Sequence, residues 1–321
     1  MTVHHRSDWP EVGLASALYE EQPNRTQPPS ADPARWMRET RFADVVVRWL
    51  YLRNAFESQL YGLPIWEFHI DADYDGPGSS RPKFLTRLRG HLRAGIMTPL
   101  EAVPWNPGYT CSKVVPGEPL HRALKQAGFE EVEQRRLYRT PVREMVDRPE
   151  SPCDAGLRFT TLATLPEGDR GLHRARILSI CGEAFASEGF SRHFTDPLLL
   201  ERRSGLEYIL AVMHLNFERL RPADFAVALD DATGRIEGFS VVGQKPGLTD
   251  AIHTQLLSAV ANAYRGRGIY EGLTRVLLRT LPRDAMLLNV THIGNSPMQR
   301  AYRLSGRTHL ADTVLMRRIF R

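Results

Sequence analysis

The stretch YRGRGIYEGL, Tyr264 to Leu273, interleaves two arginines with two glycines directly ahead of a helical pattern. A glycine-rich turn that opens a helix aims several backbone N–H groups at one point, at the positive end of the helix dipole. Such a turn can hold an anion, and Arg265 and Arg267 add charge to the backbone of Gly266, Gly268, Ile269 and Tyr270. A Walker loop needs Lys-Ser or Lys-Thr after its last glycine, whereas Gly268 is followed by Ile269-Tyr270. A dinucleotide fold wants GxGxxG and an acid about 20 residues on. The chain offers GxGxxxG, and the next apolar run ends in Val290-Thr291-His292, without an acid. Of the nucleotide-type ligands, the pyrophosphate of an acyl-CoA remains.

A second group follows in THIGNSPMQRAYRLSG. Asn295 or Ser296 is the expected N-cap, Pro297 belongs to the first turn, and Gly306 stops the helix. Asn295 and Tyr302 are seven residues apart and so share a face. Histidines at 193 and 253 and the arginine at 192 are the remaining groups that could move a proton or hold a substrate.

These residues need elements to carry them. Residues 1–40 include EEQPNRTQPPSADP and predict a loosely packed, proline-rich tail. A helix is expected through FADVVVRWLYLRNAFESQL, a strand in PIWEFHI, and a helix–strand unit at 119–139. The segment PVREMVDRPESPCDAG, about 141–156, is the expected linker. Beyond it the pattern reads helix, loop (SEGFSRHFTDP) and helix, then strands at FAVALD, RIEGFSVVG and IHTQLLSAV, the glycine turn, and α-β-α-β. Setting 119–139 over 297–317, a constant offset of 178, matches Pro119 with Pro297, Arg122 with Arg300, Ala123 with Ala301, Gly128 with Gly306, Leu137 with Leu315 and Arg139 with Arg317. The chain reads as a duplication. Its first copy has Arg87-Leu-Arg-Gly90 where the second has the glycine turn, and Leu124 where the second has Tyr302.

The glycine turn resembles motif A of the GNAT acyltransferase superfamily, Arg/Gln-x-x-Gly-x-Gly/Ala, with Arg265 and Gly268 in register and Tyr270 where a small residue is usual. The GN…RY…SG segment, Leu60-Tyr61-Gly62, Ala123-Leu124 with Gly128-Phe129, and more loosely Ser191-Arg192-His193-Phe194 are similar to the branch containing dTDP-fucosamine (4-amino-sugar) N-acetyltransferase. The resemblance implies an α/β (α+β) class: a tandem GNAT fold, each copy a mixed central sheet flanked by helices, with a degenerate N-terminal copy. The expected divisions are a tail at 1–40, a degenerate domain at 41–150 and a catalytic domain at 151–321. It further implies that the backbone at Ala259 and Val260 pairs with the pantetheine arm, that Asn295 touches that arm, and that Tyr302 faces the thioester sulfur. His253 or His193 would be the general base, and Arg192 would lie at the acceptor. The implied donor is acetyl-CoA or another acyl-CoA, the acceptor a small-molecule amine, and no metal takes part. With reference pKa values of about 10 for tyrosine and 8.5 for a thiol, full proton transfer to the thiolate is uphill by about 2 kcal/mol. Tyr302 would therefore give its proton as the bond breaks, or act as a strong hydrogen-bond donor.

Composition bounds the alternatives. Apolar residues at 42% and charged ones at 25% fit a globular protein, with no apolar run of membrane-spanning length and no signal-peptide pattern, so a cytoplasmic setting is expected. Three scattered cysteines make neither a disulfide framework nor a zinc cluster. The net charge of +5 lies wholly in 151–321, and 261–321 carries eleven arginines against three acids. That excess supports a second reading, in which the donor is aminoacyl-tRNA. A third is a non-catalytic acyl-CoA-binding protein. The run Asp71-Ala-Asp73-Tyr-Asp75-Gly76 begins like a calcium loop, but Pro82 stands where the bidentate Glu belongs, so an acidic turn is expected there.

Overall fold

The computed structural model describes residues 35–42, 45–74, 109–114, 116–117, 119–147, 156–186, 189, 191–244 and 252–319. It divides into two compact units, Met1–Arg135 with Ala311–Arg321, and Arg136–Leu310. In the first, β1 (Arg35–Phe42) pairs antiparallel with β2 (Val45–Arg53), in register from Arg35↔Leu52 to Phe42↔Val45. Helix α1 (Ala55–Tyr61) follows, with Asn54 capping the N–H of Glu57 and Gly62 closing it at φ +62°. Then come β3 (Ile65–Tyr74), β4 (Tyr109–Val114), α2 (Pro119–Gln126) and β5 (Glu130–Pro141), which runs on into the second unit.

Three expectations change here. The apolar run expected to be one helix is mostly strand β2. Three consecutive valines, branched at Cβ, and two aromatics are residue types that favour a strand, and only AFESQLY is left for α1. Of the tail expected at 1–40, residues 35–40 belong to strand β1 (Arg35–Phe42); residues 1–34 lie outside the described residues. Asp71 and Asp73 lie in β3 rather than in a turn, while Asp75 to Pro82 lie outside the described residues.

In the second unit, α3 (Val142–Val146) begins at once after Pro141 and buries Val142 and Met145. The expected linker is thus packed structure as far as Val146, and the division between units falls inside β5. Next come β6 (Leu157–Thr161), α4 (Arg170–Phe185), the short α5 (Arg192–Thr195) and α6 (Pro197–Leu200), and α7 (Gly205–Arg219). A Ser204/Glu207 capping box starts α7. Strands β7 (Phe225–Asp230), β8 (Ile236–Gln244) and β9 (Ile252–Val260) lead to α8 (Ile269–Thr280), β10 (Met286–His292), α9 (Ser296–Leu304) and β11 (Thr308–Ile319).

The sheet of this unit runs β10-β9-β8-β7-β6, antiparallel except between β9 and β10. Helices α4 and α7 cover one face through Ile177, Ile180, Met213 and Phe217 against Val227, Phe239 and Val241. On the other face α8 packs Ile269, Leu273 and Leu277 against Ala226, Ala228 and Val242. This is the mixed sheet flanked by helices that was expected. Among the described residues no helix is long and apolar enough to cross a membrane, and no group of three or more His, Cys, Asp or Glu could hold a metal ion.

The duplication extends to the backbone. At the same offset of 178, β4, α2 and β5 fall on β10, α9 and β11. Both helices close with one pattern: Gly128 N–H donates to Lys125 and Phe129 N–H to Leu124, as Gly306 does to Arg303 and Arg307 to Tyr302, all at 3.0 Å. Gly128 and Gly306 have φ of +82° and +71°, which a side chain rarely adopts.

Candidate active site

The parallel ladder between β9 and β10 is short. It joins Ile252, His253 and Thr254 to Met286, Leu287 and Leu288 and then ends, though β9 continues to Val260 and β10 to His292. On its other side β9 bulges: Val242 pairs with Gln255 and Val241 with Leu257, so Leu256 has no register partner in β8 or in β10. The two strands therefore split just past Thr254, and among the described residues no strand pairs with β9 on that side beyond it.

The glycine turn stands at the end of this strand. A short 3-10 turn, Asn262–Tyr264, links Val260 to the turn, and Gly268 caps α8. Gly266 and Gly268 have φ of +81° and +73°, and a Cβ on either would meet nothing within 4 Å. Glycine is required here by backbone conformation, while the space over the turn is open. Among the described residues no side chain caps α8; the Glu271 N–H turns back to the Gly268 carbonyl at 3.0 Å, and the N–H groups of Ile269 and Tyr270 are those that a helix start offers to an acceptor outside it. Three interactions brace the approach. Tyr264 donates to Asp230 at 2.8 Å, Arg267 lies 4.9 Å over the Tyr264 ring, and Arg176 bonds Glu183 and Glu237. Tyr264 and Thr233 hold the Asp230 carboxyl below the usual carboxylate range, and the Arg176 guanidinium does the same for Glu183.

Tyr270 does not fill the turn. Its hydroxyl points into the sheet and donates to Gln255 Oε1 at 2.6 Å. Gln255 Oε1 also accepts from Asn289 Nδ2 and, at 3.3 Å, from Arg307; Gln255 Nε2 donates to Ser240 and Ser258. The bulge at Leu256 explains how Gln255 and Ser258, three residues apart, share a face. Arg307 also donates to Tyr270 Oη at 3.0 Å and to Thr274 Oγ1 at 3.1 Å, and lies 4.6 Å over the ring of Tyr302. Gln255, Asn289 and Arg307 went unrecognised in the sequence, as did the bulge. The one available signal was the repeat, which sets Arg307 against Phe129.

Tyr302 is 4% exposed, its ring edge-on to Tyr138 at 4.9 Å and 5.9 Å from that of Tyr270. Asn295 is an N-cap: its Oδ1 accepts from Met298 N at 3.2 Å, and its amide NH2 takes no part in that bond. His253 sits at the paired end of β9, between Gln244 and Leu287, two residues before Gln255. Arg192 and His193 are both buried, and the His193 ring stacks on Tyr208 at 3.4 Å. The structure thus brings Tyr302 and Tyr270 together through Arg307, sets the glycine turn at the end of β9, and packs His193 onto α7. Three of the eleven arginines of 261–321 form ion pairs: Arg275 with Glu271, Arg283 with Asp147 and Arg317 with Glu130.

No family model and no curated protein matches the chain. Among solved structures, a GCN5-related N-acetyltransferase from Sphaerobacter thermophilus superposes with a TM-score of 0.50 at 16% identity, over 87% of this chain and 77% of that one. A tandem GNAT protein from the clavulanic acid biosynthesis pathway gives 0.48 at 16% identity, over 96% and 93%. A GCN5-related N-acetyltransferase from Kribbella flavida gives 0.46 at 15%, over 88% and 89%. The chain has the fold of the GCN5-related N-acetyltransferases.

Proposed function

We propose that the chain is an N-acyltransferase that moves an acyl group, acetyl in the simplest case, from acyl-CoA to the amine of a small molecule such as an amino sugar or a natural-product intermediate. The observation that carries this reading is the split strand pair: β9 loses its parallel partner after Thr254, bulges at Leu256 and runs out to an uncapped helix start. A pantetheine arm carries amides that pair with a free strand edge, and a pyrophosphate suits the N–H groups of a glycine turn. Residues 266–269 with Arg265 and Arg267 would hold the pyrophosphate, and the backbone from Leu256 to Val260 would pair with the arm.

In the reaction the neutral amine attacks the thioester carbonyl carbon. The C–N bond forms, the C–S electron pair leaves on sulfur, and the ammonium proton passes to water or a base. The backbone N–H of Leu256, which has no register partner in β8 or β10, is the candidate donor to the carbonyl oxygen as charge gathers there. Tyr302 is the candidate proton donor to sulfur. His253 remains the candidate base on β9; His193, stacked under Tyr208, would serve only from within a closed pocket. Arg275 and Arg283 are engaged in ion pairs with Glu271 and Asp147, which takes two charges of the C-terminal third from the aminoacyl-tRNA reading without removing the basic excess that suggested it.

The test is titration calorimetry with acetyl-CoA, followed by a thiol-release assay against a panel of amines. Micromolar binding that Gly268→Glu removes, with release that Tyr302→Phe abolishes while leaving binding intact, is the expected result. Wild-type protein that ignores acetyl-CoA would end the acyl-CoA reading. Binding with turnover untouched by Tyr302→Phe would end the role given to that tyrosine.

A further inference from the structure

Arg307 carries a charge with no counter-charge among the described residues. It is 5% exposed and its partners are neutral: Tyr270, Gln255 and Thr274 accept its hydrogen bonds, and the rings of Tyr270 and Tyr302 lie under the guanidinium at 5.2 and 4.6 Å, which eases the burial without neutralising it. Its Nε has no hydrogen-bond partner, and neither has Oδ1 of Asn289, which is fully buried and bonded to the same Gln255 oxygen. A buried cation without a counter-charge is costly, and a buried polar atom without a partner adds to that cost.

Packing does not demand the cation. In the first copy the matching position, Phe129, is buried at 3% exposure behind the same helix-closing pattern, and Leu124 stands where Tyr302 does. The same local backbone is built there from two apolar side chains. The Tyr302–Arg307 pair of the second copy therefore answers to something other than folding. Arg307 reaches Gln255, the first residue of β9 beyond the paired segment, so its charge lies at the apex of the split.

We propose that the Arg307 guanidinium seats an anionic group brought by the ligand into the split between β9 and β10, with the Asn289 amide oxygen accepting a donor from the same ligand. Two sources share this chemistry. One is the thiolate left when the C–S bond of a thioester breaks and its electron pair stays on sulfur. The other is a carboxylate at the end of the acyl chain. Both sources rest on the acyl-transfer reading; the need of the buried cation for an anion does not.

The experiment is calorimetric titration of wild type, Arg307→Lys and Arg307→Met with CoA, acetyl-CoA and succinyl-CoA, at pH values below and above the thiol pKa. Melting curves in acetate are recorded beside it. A thiolate source makes CoA bind at least about tenfold tighter at the higher pH while acetyl-CoA does not change. A carboxylate source makes succinyl-CoA bind at least about tenfold tighter than acetyl-CoA at both pH values. In either case the preference survives in Arg307→Lys and disappears in Arg307→Met. Equal, pH-independent affinities for all three compounds in the wild type overturn the anion site, whether or not Arg307→Met folds. If no CoA compound binds but acetate raises the melting temperature of wild type and not of Arg307→Met, the anion site stands and the acyl-CoA reading falls. If neither occurs, both fall.

Discussion

Substituting alanine at Gly268 separates two reasons for a glycine. A Cβ there would meet nothing within 4 Å, so crowding contributes nothing, and the whole cost comes from holding a side chain at φ +73°. The left-handed region costs a residue with a Cβ about 1–2 kcal/mol. Replacing glycine also narrows the unfolded ensemble, which returns about 0.4–1 kcal/mol. Gly268→Ala should therefore destabilise by about 1 kcal/mol. Gly171 is the control: it is also exposed with nothing within 4 Å of its Cβ, but it lies in the first turn of α4 outside the left-handed region. There alanine should stabilise by roughly 0.5–1 kcal/mol. The two variants differ by about 2 kcal/mol, which at a urea m-value of about 3 kcal/mol/M puts their midpoints roughly 0.7 M apart on opposite sides of wild type. Gly268→Asn, whose side chain tolerates the left-handed region, should recover most of the loss. Midpoints of Gly268→Ala and Gly171→Ala that move together, with m unchanged, would refute the assigned turn geometry and the anion cradle built on it.

Gly272 is the opposite case, since its Cβ would lie 2.5 Å from the Phe159 ring. Gly272→Ala should cost about 1–3 kcal/mol by overpacking α8 against β6, and Phe159→Leu in the same chain should recover part of it in urea unfolding. Glu183, held below the usual carboxylate range by Arg176 and by the Asn262 N–H, stabilises the approach to the glycine turn above its ordinary pKa. That support is lost as the pH falls through the lowered folded-state value, so Glu183→Gln should flatten the acid limb of the stability profile and leave the neutral limb unchanged in shape. The double variant Tyr302→Leu/Arg307→Phe installs the side chains of the first copy; it should be at least as stable as wild type by thermal melting and inert in thiol release.

From α4 onward the main elements of the second half were readable because they carry local punctuation, while α3 and β6, on either side of the expected linker's end, were missed. IHTQLLSAV is β9 to the residue, and the glycine turn and Pro297 set the starts of α8 and α9. The run VVVRWLYLR misled because a short apolar segment fits a buried helix as well as a strand, and β-branching was the better guide. Strand β4 was missed from its own residues, YTCSKV, yet the offset of 178 from β10 marks its position. Glycine and proline announce turns wherever they stand. The bulge at Leu256 has no such marker, because it is decided by how β8 and β10 meet β9. The polar cluster went unseen for the same reason. Gln255, Tyr270 and Asn289 come from β9, α8 and β10 and Arg307 from the turn before β11, and they share nothing in the sequence but their eventual place.

A duplicated fold carries its own comparison, and here it divides structure from function within one chain. Both copies close a helix on a left-handed glycine with the same two backbone bonds, so the requirements of folding at that corner are met twice. The first copy meets them with Leu124 and Phe129, which bury well and leave nothing unpaired. The second meets them with a tyrosine and an arginine that bury almost as deeply, at the expense of an unbalanced charge and an amide oxygen without a partner. Stability alone would favour the first solution at both corners. The costlier one occurs beside the split strands and the open glycine turn, where an incoming anion can return what the empty fold gives up.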